Sequence, residues 1–312
     1  MSALDVNPEV PGEDAVAPTL ALSAASRLRA LVALTKPNLS ALVASTGVLG
    51  YALSARGGSF DFVRLLHLAL GLWLTSGGAG ASNMILERAL DQKMRRTRGR
   101  PLPAGLLSPA QATIFAALIF CLGWIELAAF TSLLTANLAI LTAGLYALIY
   151  TPLKRRGPIA VFVGAIPGAI PPLMGWAAVS GSLAPPAWVL FSTLFLWQFP
   201  HFMALAWMYR EDYLRAGFDF LPASDPSGAR TGRWMAIGAG LLVPTTVLLQ
   251  PLGAAHWLYT GGALLTGIWF AHKAVTMARA PSQVGARKVF FASIIYLPML
   301  LCLIVADRLF FG

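Results

Sequence analysis

The feature that most constrains this chain is a block of charge, NMILERALDQKMRRTRGRP, from Asn83 to Pro101, which separates two long apolar runs. A charged side chain at the centre of a bilayer costs at least ~2.5–3.5 kcal/mol, so the block has to lie at or outside a membrane face. Asn83, Glu87 and Asp91 follow each other at intervals of four residues, and on a helix they form one oxygen-rich stripe. Hard oxygen ligands beside the block's six basic residues suit a polyphosphate that is bridged by Mg²⁺.

The composition places the remainder of the chain in a membrane. Mean hydropathy is +0.69, and 12% of the residues are charged, against about 25% in a soluble domain. We therefore predict an all-α polytopic membrane protein of about nine transmembrane helices, because the apolar runs have helical length and do not alternate as barrel strands do. The predicted spans are residues 38–55, 62–82, 110–130, 132–150, 159–179, 187–208, 233–251, 256–274 and 290–311.

The distribution of basic residues gives an orientation. If the N-terminus is cytoplasmic, all of the 23 Lys and Arg residues except Arg56, Arg64 and Arg308 fall on the inner side of the nine spans. This is the positive-inside bias, so the net charge of +10 reports topology and not nucleic-acid binding. We predict a protein of the inner (plasma) membrane with cytoplasmic catalytic loops and an external C-terminus.

Two smaller features complete the organisation. The first residues carry several acids, Pro and Ala and no base, so we predict a disordered tail over 1–30 and a membrane-embedded domain over 31–312. Cys121 and Cys302 lie singly inside apolar runs, with no zinc-like spacing, and are interpreted as small core residues.

Two further loops face the same side as the charged block in this topology. Glu211 and Asp212 open the loop 209–232, and acids facing the first stripe across one cavity would let two metal ions clamp one diphosphate. Asp219 and Asp225, later in that loop, are interpreted as part of a solvated connector. The third loop, YTPLKRR (150–156), either anchors the fourth span or binds a distal phosphate through its cations, with the phenol of Tyr150 as a donor.

Two spans carry unusual residues. His201, in WQFPHF, is an ionisable residue inside the membrane, which favours a functional role, although a neutral imidazole is also a cheap structural hydrogen-bond partner. The fifth span, GAIPGAIPPLMG (164–175), combines three Gly with three Pro. Such a segment either permits close helix packing or forms a broken helix that leaves room for a bulky, flat ligand.

At these residues the chain resembles the UbiA superfamily of intramembrane prenyltransferases, whose first loop reads Asn-x-x-x-Asp-x-x-x-Asp. Within it, the chain is most similar to the branch that farnesylates haem, over about residues 30–311. Glu87 replaces the usual Asp, Ala89 stands where a further acid is common, and Phe218-Asp219-Phe220 departs from the branch. The matching segments are LTKP (34–37), Met94 with Arg96, Thr97, Arg100 and Pro101, YTPLKRR (150–156), GAIPPLMGW (168–176), LWQFPHF (196–202) and DYLRAG (212–217).

The resemblance implies Mg²⁺-dependent transfer of a farnesyl group from farnesyl diphosphate to a vinyl group of haem B, with addition of water, giving haem O and diphosphate. Asn83, Glu87, Asp91 and Asp212 would hold Mg²⁺, and either Glu211 or Asp212 would accept the proton. The lipid bilayer is the expected surrounding. The resemblance is also compatible with an association with haem A synthase or with terminal oxidase assembly. The residues expected to bind the substrates are Lys36, Arg88, Arg96, Arg100, Tyr150, Lys154, Arg155 and His201.

Two alternatives stay open at this point. A prenyltransferase that acts on a quinone or chlorophyll precursor would share the fold, the metal and the diphosphate, and would differ in its acceptor pocket. A transporter would also use broken helices, but its charges should gather at the membrane midplane and not in loops.

Overall fold

The chain is all-helical wherever its structure is described. The computed structural model describes residues 23–55, 59–154, 157, 159–217, 221–222 and 224–311, and these ranges contain no β-strand. Arg155 and Asp219, both singled out from the sequence, lie outside the described residues. The helices are α1 (Ala24–Leu34), α2 (Pro37–Ser54), α3 (Phe62–Asp91), α4 (Pro109–Phe130), α5 (Leu133–Gly144), α6 (Thr151–Leu153), α7 (Ile159–Ala169), α8 (Pro171–Ser180), α9 (Pro185–Met208), α10 (Arg210–Ala216), α11 (Ala229–Val247), α12 (Trp257–Arg279) and α13 (Gln283–Phe311).

The helical surface is suited to lipid. Large apolar side chains cover the outside, for example Leu265 at 74% and Leu309 at 80% exposure, which a soluble protein would bury. Each of the nine apolar runs coincides with helical structure, and six segments of the described chain are long and apolar enough to cross a membrane. The protein is therefore a multi-pass membrane protein. The six segments are Phe62–Asp91, Pro109–Phe130, Leu133–Leu153, Ile159–Ser180, Pro185–Met208 and Gln283–Phe311.

Two groups of helices form the bundle. In the first, α3 packs against α2 and α4, α2 packs against α8, and α5 contacts α4 and α8. In the second, α9 packs against α11 and α13, and α12 lies between α11 and α13. Helix α7 joins the groups because it contacts both α5 and α9. This arrangement leaves space between the groups, around α7.

The Gly- and Pro-rich fifth span permits close helix packing and also lines a cavity, and its predicted role as room for a bulky, flat ligand stays a prediction. It forms α7 and α8, which are separated at Ile170 because Pro171 and Pro172 have no N–H to continue the helix. On one side it packs closely on α2, where a Cβ at Gly50 would overlap the carbonyl of Pro172. On its other side Gly164, Pro167 and Gly168 line an internal cavity.

The fourth span contains a local change of helix type. After α5, residues Leu145–Tyr150 form a π-helical turn, in which the chain is wound more widely than in an α-helix. Thr151 closes this turn, since its N–H and its hydroxyl both donate to the carbonyl of Tyr146. The turn ends in α6, from which Lys154 projects.

The end of the bundle opposite to the charged block is closed by two neighbouring residues of α13. The Asp307 carboxylate accepts the N–H groups of His256 (2.7 Å) and Tyr259 (2.9 Å), so it caps the start of α12. Arg308 donates to the carbonyls of Ala52, Leu53 and Ala55, so it covers the last turn of α2. Both charges are thereby matched to the unpaired backbone groups of other helices.

Two predictions made from the sequence are corrected by the structure. Helix α1 begins at Ala24, where the Ser23 hydroxyl accepts the N–H of Ser26, so residues 24–30 do not belong to a disordered tail. Residues 1–22 lie outside the described residues. Cys121 and Cys302 are exposed on the apolar outer surface and are not core residues, because their helices turn these positions toward lipid.

Candidate active site

The candidate site is built on the C-terminal third of α3, where the predicted stripe is present. The helix continues without a break to Asp91, so Asn83, Glu87 and Asp91 lie on one face. All three are buried, with exposures of 1%, 4% and 0%. Polar groups this deeply buried need hydrogen-bond partners. Each residue of the stripe accepts a hydrogen bond from a cationic side chain of another segment.

Asn83 is held in a single orientation. Its Nδ2 donates to the hydroxyl of Thr151 (2.9 Å), whose own hydrogen is used on the carbonyl of Tyr146. The amide nitrogen is thereby assigned, and Oδ1 faces the ammonium group of Lys36, which donates to it at 2.5 Å. The π-helical turn and the stripe are thus connected through Thr151.

Lys36 reaches the stripe because of an unusual backbone conformation. It has φ 49° and ψ 63°, the left-handed region, which costs a residue other than glycine about 1–2 kcal/mol. Pro37 follows directly and disfavours the right-handed helical conformation at position 36. The side chain then passes over α3 at Gly80, where a Cβ would be in ordinary van der Waals contact with its methylene groups. Strain of this kind is typical of functional sites.

The two acids of the stripe are each paired with a cation. Lys154, at the end of α6, donates to Glu87 at 2.7 Å and lies over the ring of Tyr150, 4.6 Å from its centroid. Arg100 donates to both oxygens of Asp91 at 2.9 and 2.8 Å, while the Thr97 hydroxyl donates to the Asp91 carbonyl. Three residues expected to bind substrate are therefore brought to the stripe.

The surroundings of the two lysines shift their pKa values in opposite directions. Burial, together with the charges of Lys154 and Arg100, lowers the pKa of Lys36 to about 7. Burial would also lower the pKa of Lys154, but the direct bond to Glu87 outweighs it, so this pKa lies above its usual value. Tyr213 of α10 adds to the same upward shift of the Lys154 pKa.

An apolar cavity of about 220 Å³ adjoins the cations. Tyr146 and Tyr150 form the wall that they share, since the Tyr146 hydroxyl accepts from Lys36 and the Tyr150 ring lies under Lys154. Small residues of α7 and mostly apolar residues of α2, α3, α5, α8 and α9 line the remainder. A ligand with a charged head and an apolar chain is complementary to this arrangement.

The acids of the second loop lie in a different, more polar cleft of about 670 Å³. Glu211 is exposed there, and Asp212 forms an ion pair with Arg215 of the same short helix. Arg95 of the first loop lines this cleft, so the two loops meet. Asp225 is not in a solvated connector as predicted, since it is buried: it accepts the N–H and hydroxyl of Thr231 at 2.8 and 2.9 Å, near the start of α11.

Several residues that were predicted to bind substrate are not gathered at the stripe. Arg88 is exposed, and its guanidinium donates to the carbonyl of Ile85 in its own helix. Arg96 lies over the ring of Tyr209, 5.6 Å from its centroid. His201 faces α13: its Nδ1 is 2.8 Å from the Ser293 hydroxyl and its ring stacks between Trp197 and Phe290.

The stripe fits a hard divalent cation by its chemistry. Among the described residues no group of three or more His, Cys, Asp and Glu side chains is close enough to hold a metal ion. The stripe instead offers an amide oxygen and two carboxylates, and a carboxylate has about four lone-pair positions, of which the present cations occupy only some. Mg²⁺ bound through one or two carboxylates and substrate phosphates needs no larger protein cage.

Sequence reasoning missed three residues of this region, namely Tyr146, Thr151 and Gln198. Tyr146 lies four positions before the predicted Tyr150, a spacing that places two side chains on one helical face. Thr151 was quoted only as part of a segment. Gln198 lines the apolar cavity, and a polar residue in the middle of an apolar span was a signal that the neighbouring His201 obscured.

Comparison with known proteins gives a consistent family relationship. The profile of the UbiA prenyltransferase family matches residues 43–295. The protoheme IX farnesyltransferase of Solibacter usitatus is 41% identical over 289 residues, covering 90% of this chain and 99% of the relative. That of Opitutus terrae is 43% identical over 279 residues, covering 89% and 94%. The mitochondrial protoheme IX farnesyltransferase of Arabidopsis thaliana is 37% identical over 276 residues, covering 88% of this chain and 64% of the relative.

Solved structures share the fold at much lower identity. The structure of a digeranylgeranylglyceryl phosphate synthase superposes with a TM-score of 0.76 and 20% identity, covering 90% of this chain and 98% of the other. A UbiA homologue from Archaeoglobus fulgidus bound to GPP and Mg²⁺ superposes with a TM-score of 0.64 and 12% identity, covering 88% and 99%. These similarities establish the helical architecture.

Proposed function

The chain belongs to the UbiA prenyltransferase family, and on that premise we propose that it transfers a farnesyl group from farnesyl diphosphate to a vinyl group of haem B. Water is added in the same reaction, and the products are haem O and diphosphate. The observation that carries this proposal is the buried stripe of Asn83, Glu87 and Asp91, matched by three cations and adjoining an apolar cavity. The relatives that are 37–43% identical over most of the chain are protoheme IX farnesyltransferases.

The diphosphate binds where the cations converge. Three cations exchange part of their bonds to the stripe for bonds to phosphate oxygens, namely Lys36, Arg100 and Lys154. The phenol of Tyr150 donates a hydrogen bond to the diphosphate. Asn83, Glu87 and Asp91 would hold Mg²⁺ together with Asp212 from the adjoining polar cleft, and the metal would supply positive charge to neutralise the departing diphosphate. Arg88 and Arg96 are proposed to add positive potential around this centre and not direct contacts, and the substrate-binding role of Arg155 stays a prediction.

The apolar cavity receives the farnesyl chain. Departure of the diphosphate leaves an allylic cation, and the lining of α2, α3 and α7 keeps bulk water from it. The terminal carbon of the haem vinyl group attacks this cation, which places a new positive charge on the carbon beside the porphyrin ring. Water then adds at that carbon. His201 is proposed to face the haem or to support α13 behind it.

We further propose the nine-span topology in the inner (plasma) membrane, with the N-terminus and both acidic loops in the cytoplasm. Single cysteines at Ser108 and Ser227, in a background that lacks Cys121 and Cys302, should react with a membrane-impermeant thiol reagent only from the cytoplasmic side. A cysteine at the exposed Gly181 should react only from outside. Labelling of positions 108 and 227 from opposite faces would separate the acidic loops and remove the common site. The association with haem A synthase or with terminal oxidase assembly stays a prediction.

Mass spectrometry of extracted haem tests the reaction. Purified protein, supplied with haem B, farnesyl diphosphate and Mg²⁺, should give a haem that is heavier by one farnesyl group and one water. Chelation of the metal should stop the reaction, and added Mg²⁺ should restore it. Unmodified haem, together with a prenylated aromatic acceptor such as 4-hydroxybenzoate, would contradict the haem assignment in favour of a quinone-type enzyme.

His201 has a separate test. His201→Ala should impair the use of haem while Mg²⁺-dependent binding of farnesyl diphosphate is retained. Normal farnesylation of haem by this variant would leave the enzyme assignment unchanged and give the histidine a structural role between α9 and α13.

A further inference from the structure

Gln198 is a buried polar residue that the mechanism above does not use. It lies in the middle of α9, is 4% exposed and lines the apolar cavity. Its Nε2 donates to the carbonyls of Ala165 (2.9 Å) and Leu194 (3.1 Å). Both amide hydrogens are therefore used, and the orientation of the side chain is fixed by the backbone of two helices.

The fixed orientation directs Oε1 toward α7 at Gly168. A Cβ at position 168 would overlap Oε1, so glycine is what allows the amide to occupy this place. Within the described part of the chain, no donor is found within hydrogen-bond distance of Oε1. Gln198 lines the cavity, so its Oε1 is an acceptor whose lone pairs are open to a ligand or a water molecule that supplies a donor.

The position of this oxygen relative to the charged stripe follows from α7. The Tyr150 ring packs against Gly164 and the Gln198 amide packs against Gly168, four residues further along the same helix. Four residues correspond to about 6 Å along a helix axis. Tyr150 adjoins Lys154, so Oε1 lies about one helical turn beyond the group that borders the proposed diphosphate position. This is the region in which the carbons next to the diphosphate react.

We propose that Gln198 Oε1 holds the water molecule that adds to the carbocation formed after farnesyl transfer. The inference rests on the proposed function, because it concerns the last step of that reaction. The water donates one hydrogen to Oε1, which leaves a lone pair of its oxygen directed away from the amide and toward the cation. The new C–O bond forms at the carbon beside the porphyrin ring.

The step balances without a further reactant. Haem vinyl, farnesyl diphosphate and water give the hydroxyalkyl haem and diphosphate, and the proton lost by the water leaves on the diphosphate. Glu211 and Asp212 line the polar cleft, and Glu87 and Asp91 are paired with cations, whereas the proposed diphosphate position borders the cavity at Tyr150, so we assign the proton to the diphosphate. The neutral amide does not take the proton, and its role is to position the water.

Loss of a proton from the cation competes with the addition of water, and the ratio of the two products can be measured. If water is not held in place, the cation loses a proton from the adjacent carbon and becomes an alkene. That product carries the farnesyl group but is lighter by one water than the normal product. The ratio of the two haems is read from a single mass spectrum and does not depend on how much enzyme is folded or how fast it turns over.

Gln198→Met keeps the length of the side chain and removes the acceptor. The ratio of dehydrated to hydrated haem should rise about tenfold, in proportion to the loss of one hydrogen bond. Gly168→Ala should shift the ratio in the same direction, because the Cβ of the alanine displaces Oε1. If Gln198→Met does not fold, the Gly168→Ala variant is used to test the proposal. Thr193→Val removes a buried hydroxyl from the same helix, away from both cavities, and should leave the ratio unchanged.

An unchanged ratio in Gln198→Met or, where that variant does not fold, in Gly168→Ala overturns the inference, and reduced turnover at a normal ratio assigns Gln198 a structural role only. Reaction in water labelled with ¹⁸O should place the label in the hydroxyl group of the wild-type product. Failure of the wild-type protein to farnesylate haem at all would instead refute the proposed function, and this outcome is distinct from an unchanged ratio.

Discussion

The two ends of the helical bundle both bury charged side chains, but they use them in different ways. At the end that carries the stripe, Glu87 and Asp91 are paired with Lys154 and Arg100, which are other side chains. At the opposite end Asp307 is paired mainly with backbone N–H groups of α12, and Arg308 with carbonyls of α2. The α2 helix, about 27 Å long, separates the two.

The two ends differ in whether the partner of a buried charge can be exchanged for a substrate group. A side-chain ammonium or guanidinium group can turn from a carboxylate to a phosphate when a substrate arrives. A helix terminus cannot turn away, because its unpaired groups belong to the fold. Buried charge alone therefore does not identify a site, whereas buried charge with exchangeable partners beside a cavity does.

The largest expected effect is on the rate of farnesyl transfer, and it comes from making the same substitution, Asp to Asn, at each end of the bundle. Asp91→Asn should reduce farnesyl transfer by about 10²–10³-fold, because it removes an anionic ligand and leaves Arg100 without its counter-charge. Asp307→Asn should lower the unfolding temperature but keep the rate per folded molecule. Both are measured by haem mass spectrometry on protein normalised by size-exclusion chromatography. Equal losses of rate in the two variants would contradict the comparison.

A smaller loss, of about 10–100-fold, is expected for Asp212→Asn. The matched variant is Arg215→Gln, which breaks the same ion pair from the other side. If Asp212 serves the metal, only the Asp212 variant should show a raised requirement for Mg²⁺ in a titration of the rate. If the two variants behave alike, the ion pair matters only for the shape of α10.

At the structural end, Arg308→Met should destabilise the protein by about 2–3 kcal/mol, because three carbonyls of α2 lose a charged donor. The quantity to measure is the free energy of unfolding in detergent. Lys288→Met, at an exposed position of the same helix, should change it little. A loss of activity per folded molecule in the Arg308 variant would assign this end a catalytic role.

The smallest effect is expected for Asp225→Asn, with activity within about twofold and a stability loss of about 1 kcal/mol. Burial would raise the pKa of Asp225, but hydrogen bonds from Thr231 and Ser227 outweigh it and hold the pKa below its usual value of 3.8. The stabilisation by the carboxylate is therefore complete above pH 3.8 and is lost as the pH falls through the folded-state pKa. The difference in unfolding temperature between wild type and variant should disappear at low pH. A large loss of activity would instead place Asp225 in the site.

Much of the site follows from the sequence because it depends on local spacing. Intervals of four residues place Asn83, Glu87 and Asp91 on one face wherever the chain is helical. The same geometry places Arg88, one residue after Glu87, about 100° around the helix from the stripe, and its predicted role in substrate binding stays a prediction. The nature of the fold follows from hydropathy in the same way.

The partners of the stripe do not follow from the sequence, because they depend on chain segments far apart. Lys36 is adjacent to Pro37, which limits its backbone, but nothing near position 36 indicates that its side chain ends at Asn83. The fixed amide of Gln198 depends on a carbonyl in α7, which no spacing within α9 reveals. Outward rotation of Cys121 is likewise a property of the packed bundle.

The π-helical turn at Leu145–Tyr150 makes this site sensitive to the length of the chain, and not only to its composition. Deleting one residue there would restore an ordinary α-helix and rotate all that follows by about 100°. Thr151 and Lys154 would then leave Asn83 and Glu87 together, although every side chain of the site was still present. Over evolutionary time this segment should therefore accept substitutions more readily than insertions or deletions, and its residue count becomes an inherited part of the catalytic geometry.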